Sequence, residues 1–318
     1  MRPTTLSNYI GQESLKPILS AEIAAANRAN KPLAHMLLSG PPGTGKTSLA
    51  RLLAAMTGAK LIEYTCNRTL TSIVIDRLLL NLPIDGYSRG GARSNAGSRY
   101  LIFFDECHLL PSYEPLYNPL EDGHMIWNGK LGWLPEITFV FATTDTSKLP
   151  KAMMDRLGMQ FRMEPYTVPE MQKIIALAFP SLSKSVVLEV ARRSRRNPRL
   201  GCNLAQRVIN FGSVKVFDHL GIDDDGCNDL DRRILLALES MKGKAVSLSS
   251  LCALVGEPNE QTLMQSEEYL IHLGRMVITP AGRMLTQIDR GKADAAPAAA
   301  ESEKKPRRLR LPGVLMEC

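Results

Sequence analysis

Gly40-Pro41-Pro42-Gly43-Thr44-Gly45-Lys46-Thr47 satisfies the pattern G-x-x-x-x-G-K-[ST]. Glycines in this pattern let backbone N–H groups wrap a row of phosphates, and the lysine reaches the outer ones. The run before it, Ala34 to Ser39, reads as a short buried strand, and Ser48 to Met56 has helical spacing. A helix N-terminus therefore faces the bound anion. Strand, loop and helix in that order predict a nucleotide with Mg2+, held by Gly43, Thr44, Gly45, Lys46, Thr47 and Ser48.

A second strand supplies carboxylates. Tyr100-Leu101-Ile102-Phe103-Phe104 is apolar throughout, as a parallel strand covered on both faces requires, and it runs into Asp105-Glu106. Such a strand end places Asp105 to hold magnesium through water and Glu106 to polarise an attacking water. A third strand, Ile137 to Ala142, leads into Thr143-Thr144-Asp145 and offers a hydroxyl to the γ-phosphate. Strand and helix patterns alternate through residue 165, which predicts an α/β parallel sheet.

From Glu170 to about Leu220 the apolar residues recur at helical spacing, giving a small helical lid over residues 166–222. A polar break, Gly221 to Gly226, precedes a helix from Leu230 and two further helices. Met276 to Leu285 then reads as two strands about a turn, so residues 223–290 are expected to form a winged helix. Residues 291–308 are rich in Ala, Pro, Glu and Lys and are expected to be disordered, making 291–318 a basic tail.

The 318 residues are 44% hydrophobic and carry a net charge of +7, with basic residues concentrated at Arg192–Arg199, in the Arg89–Arg99 loop and at Lys304–Arg310. Such clusters suit phosphate. The 6 cysteines form no C-x-x-C pair, which argues against a zinc module or disulfide framework. No apolar stretch reaches membrane-spanning length and no secretory signal pattern opens the chain, so the expected location is cytoplasmic, with no membrane partner.

Taken in order, Arg2-Pro3 with Tyr9-Ile10-Gly11-Gln12, the P-loop, Asp105-Glu106-Cys107-His108, Glu121-Asp122, Ala142-Thr143-Thr144, Asp155-Arg156-Leu157-Gly158, Glu164-Pro165-Tyr166 and Pro198-Arg199 resemble the RuvB family of AAA+ motors for Holliday-junction branch migration. The resemblance runs from Arg2 to about Thr286. It implies a P-loop AAA+ sheet domain over 1–165, then the lid and the winged helix. It also implies a hexameric ring that hydrolyses ATP between subunits and moves double-stranded or branched DNA. Arg2, Tyr9 and Ile10 would border the adenosine, with Tyr166 lining the base, and Lys46 and Thr47 would meet the phosphates and the magnesium held with Asp105. Thr143 or Thr144 would be the sensor of the γ-phosphate, Arg156 the arginine finger given to a neighbouring subunit, and Arg199 the lid arginine.

The chain also departs from the family. The hairpin that binds RuvA in the family is shortened here to residues 123–133, which argues against a RuvA-like partner. Where the family's wing carries three arginines, Ile278-Thr279-Pro280-Ala281-Gly282-Arg283 keeps Arg283 as the DNA contact. Two other readings share much of this pattern: a clamp-loader-like AAA+ protein, and a slow nucleotide-gated DNA-binding scaffold.

Overall fold

The computed structural model describes residues 3–82 and 99–286 and divides at Asp229/Leu230 into two compact units. Arg2, the basic Arg89 and Arg93 of the long loop, and the 291–318 tail lie outside the described residues.

The first unit begins with α1 (Lys16–Ala29), β1 (Met36–Ser39) and α2 (Lys46–Thr57). It continues through β2 (Lys60–Thr65), α3 (Ser72–Leu80), β3 (Tyr100–Asp105), α4 (Glu114–Glu121), and the hairpin β4 (His124–Trp127) and β5 (Lys130–Trp133). Next come β6 (Ile137–Thr143), α5 (Lys151–Met154) and β7 (Met159–Arg162). Five strands pair in parallel in the order β2-β3-β6-β1-β7. Strands at this period send alternate side chains to opposite faces. Ile102, Phe104, Phe139 and Phe141 accordingly enter one core with Leu116 and Leu120 of α4. Leu101, Phe103, Val140 and Ala142 enter the other, with Leu49 and Leu53 of α2 and Leu19 of α1. Rings of Phe104 and Phe141 stack at 5.3 Å in the first layer. Helices thus cover both faces, and the apolar runs read from the sequence are its three central strands.

The lid is built from α6 (Val168–Ala178), α7 (Lys184–Arg193), α8 (Pro198–Phe211) and α9 (Val216–His219) around Met171, Ile175, Val190, Leu204 and Phe217. Thr167 and Glu170 form a reciprocal capping box at the start of α6, and Asn197 caps α8 ahead of Pro198. Sheet and lid together make up the first unit, and the lid keeps a core of its own. The polar break also belongs to it: Asp223 accepts from the backbone N–H of Asp225 (3.0 Å) and Cys227 (2.8 Å), and Asp224 pairs with Arg193. The two units part at Asp229/Leu230, just after the polar break at which the winged helix was expected to begin.

The second unit contains α10 (Asp229–Ser240), α11 (Leu248–Val255), α12 (Glu260–His272), β8 (Met276–Thr279) and β9 (Gly282–Leu285). β8 and β9 pair antiparallel, and Val246 adds a bridge to Arg283 through N–H···O bonds of 2.9 and 2.8 Å. Gly282 is required there, because at φ +132° a Cβ would stand 2.5 Å from the Val246 carbonyl oxygen. Three helices followed by such a wing match the expected winged helix.

Candidate active site

In the central order β3-β6-β1, the carboxyl ends carry Asp105-Glu106, Thr143-Thr144 and the P-loop side by side. Ligands of open parallel sheets sit at this edge. Gly43 and Gly45 hold φ of +80° and +98°, and a Cβ on Gly45 would stand 2.4 Å from the Tyr9 hydroxyl. α2 begins at Lys46 with no side-chain cap, so its N-terminal N–H groups face the loop. Lys46 Nζ donates to the carbonyls of Gly40 (2.7 Å) and Pro41 (3.0 Å). Burial lowers the pKa of this ammonium, Glu106 and Asp105 oppose the shift, and Arg199 adds to it. Burial raises the Asp105 pKa, helped by the Glu106 charge, whereas the Glu106 N–H bonded to Asp105, Lys46 and the nearby Thr47 hydroxyl draw it down. Thr47 and Asp105 therefore share one locus. Ser48 is exposed on the first turn of α2.

The amino-terminal segment and the lid close on this loop. Tyr9 donates its hydroxyl to Gly45 O (3.2 Å) and Tyr166 to Thr44 O (3.1 Å), with Ile10 half-buried beside them. Burial raises both phenols above the ordinary tyrosine range. Asn197 Nδ2 donates to Pro42 O (2.9 Å), and a Cβ on Gly43 would meet its side chain at 2.2 Å. Arg199, two residues on in the first turn of α8, stays exposed while its charge reaches Lys46. Gln12 clasps the chain entering the lid, its amide donating to Glu164 O (2.6 Å) and accepting from Glu164 N (3.0 Å). Gln12 and Asn197 went unread in the sequence as site residues; their only local signal is a short polar side chain beside a glycine or proline.

The two threonines separate. Thr143 is fully buried; its hydroxyl donates to Asp145 O (3.0 Å) and lies 2.9 Å from His108 Nδ1. Thr144 is exposed and donates both its N–H (3.2 Å) and its hydroxyl (2.9 Å) to Glu106 Oε2. The Arg192–Arg199 cluster is largely internal rather than an open phosphate surface. Arg193 pairs with Glu189 and Asp224 and lies over the Phe217 ring, and Arg196 donates to the carbonyls of Tyr166 (2.6 Å) and Pro165 (3.2 Å).

Arg156 stands elsewhere. It borders a cleft of about 520 Å³ with Ala34, His35 and Ile137, residues that lead into β1 and β6. That is the amino edge of the sheet, at least a strand's length from the P-loop, roughly 13 Å for β1. Its guanidinium pairs with Glu121 (2.9 Å), lies 4.7 Å from the Tyr117 ring centroid, and donates to Ala152 O (2.8 Å).

In the winged helix, Arg283 does not meet the expectation of a DNA-facing side chain. It is 16% exposed and fork-bonded to Glu267 at 2.7 and 3.2 Å, with Glu267 3% exposed. A buried carboxylate needs a paired cation, and Arg283 is that cation.

Comparison with known proteins follows this geometry. The family model for the RuvB P-loop domain of Holliday junction DNA helicases matches residues 1–83, and that for the RuvB C-terminal winged helix domain matches residues 224–289. RuvB of the Holliday junction branch migration complex from Wolinella succinogenes is 33% identical over 313 residues, covering 90% of this chain and 89% of that protein. This chain belongs to the RuvB family. A second RuvB, from Campylobacter hominis, is 31% identical over 312 residues, covering 90% of this chain and 88% of its own length. Thermotoga maritima RuvB, described as a Holliday junction branch migration motor, superposes with a TM-score of 0.73 at 29% identity, covering 90% of this chain and 95% of that one. As a RuvB-family P-loop protein, the chain is an ATP-binding hydrolase.

Proposed function

We propose that this chain is an ATP-driven DNA motor that performs branch migration in recombination and repair. The observation that carries the reading is the divided active site: Lys46, Thr47, Asp105, Glu106 and Arg199 gather at the carboxyl edge of the sheet, while Arg156 is held at the amino edge. An arginine so placed serves a neighbour's nucleotide, which requires a closed ring of copies, a hexamer in this reading.

Within one site, the N–H groups of Gly43 to Lys46 and the Lys46 ammonium bind phosphate, and Tyr9, Ile10 and Tyr166 border the nucleoside. The residues fit a magnesium nucleotide, because Thr47 and Asp105 share a locus beside a loop whose Gly43 and Gly45 positions have no room for a Cβ. Mg2+ bound there through Thr47 and Asp105 would offset phosphate charge, a role that needs few protein ligands. Glu106 polarises the attacking water, and Thr144, the exposed member of the threonine pair, is the sensor. Asn197 and Arg199 bring the lid onto the loop when phosphate is present.

The curated relatives are named for Holliday junctions, and the substrate read here is duplex or four-way DNA. On the winged helix, α12 contains Glu260, Glu267 and Glu268 and no lysine or arginine, so it does not suit a phosphate backbone. The turn Lys242-Gly243-Lys244 presents two exposed lysines and leads to Val246, paired with the wing. We place the phosphate contact at this turn. The reading needs no RuvA-like partner on the short β4–β5 hairpin. No helix among the described residues is long and apolar enough to cross a membrane, in keeping with a cytoplasmic DNA motor.

ATPase rates with no DNA, linear duplex and a four-way junction, each recorded with the oligomeric state, test the proposal. Stimulation by duplex or junction together with ring assembly is expected. Equal rates in all three, or stimulation only by a sliding clamp, would overturn it.

A further inference from the structure

We infer that His108 is a positioning residue for ATP hydrolysis, holding with Thr144 a clamp on one oxygen of Glu106. The inference rests on Glu106 acting as the base of the proposed ATPase. Its origin lies in the backbone at the end of β3. Glu106 has φ +52°, a left-handed conformation that a residue with a Cβ adopts only when its surroundings hold it there. The bend starts a 3-10 turn over Cys107–Leu109 and turns the Glu106 side chain toward the end of β6. Leu109 N donates to Glu106 O (2.9 Å), and Tyr113 donates its hydroxyl to Cys107 O (2.8 Å), so the turn is fastened at both ends.

His108 sits on this turn with only 9% of its side chain exposed. Its Nδ1 is 2.9 Å from Thr143 Oγ1 and 3.3 Å from Glu106 Oε2. The hydrogen-bond network decides the proton position. The Thr143 hydroxyl donates to Asp145 O, and Thr143 Oγ1 accepts from Asp145 N (3.0 Å). Thr143 thus meets His108 as an acceptor, and a carboxylate oxygen also accepts. Nδ1 therefore carries the proton and donates it to Thr143, with Glu106 Oε2 3.3 Å away as an electrostatic contact of the same N–H.

Glu106 Oε2 receives the Thr144 N–H and the Thr144 hydroxyl, and the His108 Nδ1–H stands 3.3 Å from it. Two bonds and one electrostatic contact thus fall on one oxygen, so the carboxylate cannot rotate without losing them together. Oε1 is left as the oxygen that receives a proton from water. A general base works through such orientation, because proton transfer requires the acceptor within hydrogen-bond reach of the water it activates. Because Thr143 ends the buried strand β6, its bond to His108 also ties the turn that carries Glu106 to the sheet.

The test is steady-state ATPase on the full-length chain with DNA. His108→Ala is expected to lower kcat about tenfold, the size of one hydrogen bond, with KM for ATP unchanged. His108→Asn, which can return an N–H donor near the Nδ1 position, is expected to recover most of the loss. In a Glu106→Gln background, where the base is already removed, His108→Ala is expected to cost nothing further. A raised kcat in His108→Ala, the same factor lost in both backgrounds, or an Asn variant no better than Ala would each overturn the clamp. A wild-type chain with no ATPase at all would instead remove the functional reading beneath it.

Discussion

At the scale of single residues, the site is organised by where each side chain can leave water. Lys46 is kept close to Glu106 and Asp105, which oppose the cost of burying its charge, so the ammonium stays near the loop it serves. His35 shows the opposite balance at the other edge of the sheet. Its Nδ1 accepts from Phe139 N (3.0 Å) and its ring donates to the Leu120 backbone, so burial favours the neutral ring and lowers its pKa from 6.5 to about 4. A histidine depressed on folding contributes stability that is complete above its unfolded pKa and is lost as pH falls from about 6.5 toward 4. The loss is on the order of 1–2 kcal/mol, allowing for the part of the ring that meets solvent. Thermal melts at pH 7 and pH 5 check this: the wild type is expected to lose more Tm on acidification than His35→Asn, which keeps polar groups but takes no proton. Equal pH slopes would mean that His35 is not the titrating group.

At the scale of elements, the wing shows how one helix and one hairpin share a charge. Glu267 of α12 and Arg283 of β9 are paired inside the second unit, and removing one partner of a buried pair typically costs about 3–5 kcal/mol. Arg283→Ala is therefore expected to lower the unfolding free energy of the chain, read by denaturant titration. Lys242→Glu with Lys244→Glu is expected to leave stability nearly unchanged. The same lysine pair is expected to weaken duplex binding and reduce the slope of log K against log salt by about two, at roughly 0.9 per lost phosphate contact. An unchanged slope would remove this turn from the DNA interface. The contrast also explains what could be read from sequence. The P-loop, the β3 and β6 strands, the lid helices and the wing were legible because each is a local pattern of glycines, apolar period or caps. In the β4–β5 turn Asn128 and Gly129 both hold positive φ, the conformation that an Asn-Gly pair favours. Arg283 was misread because its partner lies 16 positions away on another element, and Gln12 because it binds the backbone of Glu164, 152 positions on. Thr143 and Thr144 are adjacent and chemically alike, and only burial separates them.

At the scale of the molecule, the sheet sets the direction of the whole device. Parallel strands put every carboxyl end on one edge and every amino end on the other, so the loop that binds nucleotide and the residues leading into β1 and β6 cannot meet within one chain. Arg156 belongs to the second group, and its Glu121 pair and Tyr117 contact keep the guanidinium oriented at that edge. If it completes a neighbour's site, Arg156→Ala chains are expected to bind ATP with wild-type affinity while kcat falls by about 10³–10⁵, the range over which such arginines act. Lys46→Ala chains fail for the complementary reason, since they lose phosphate affinity but keep a sound Arg156. Mixing the two inactive chains creates interfaces where an intact P-loop from one meets Arg156 from the other, so ATPase activity is expected to reappear and to peak near equal proportions. A mixed ring, verified by native mass measurement, that stays inactive at every ratio would assign Arg156 to its own subunit and with it remove the need for a ring.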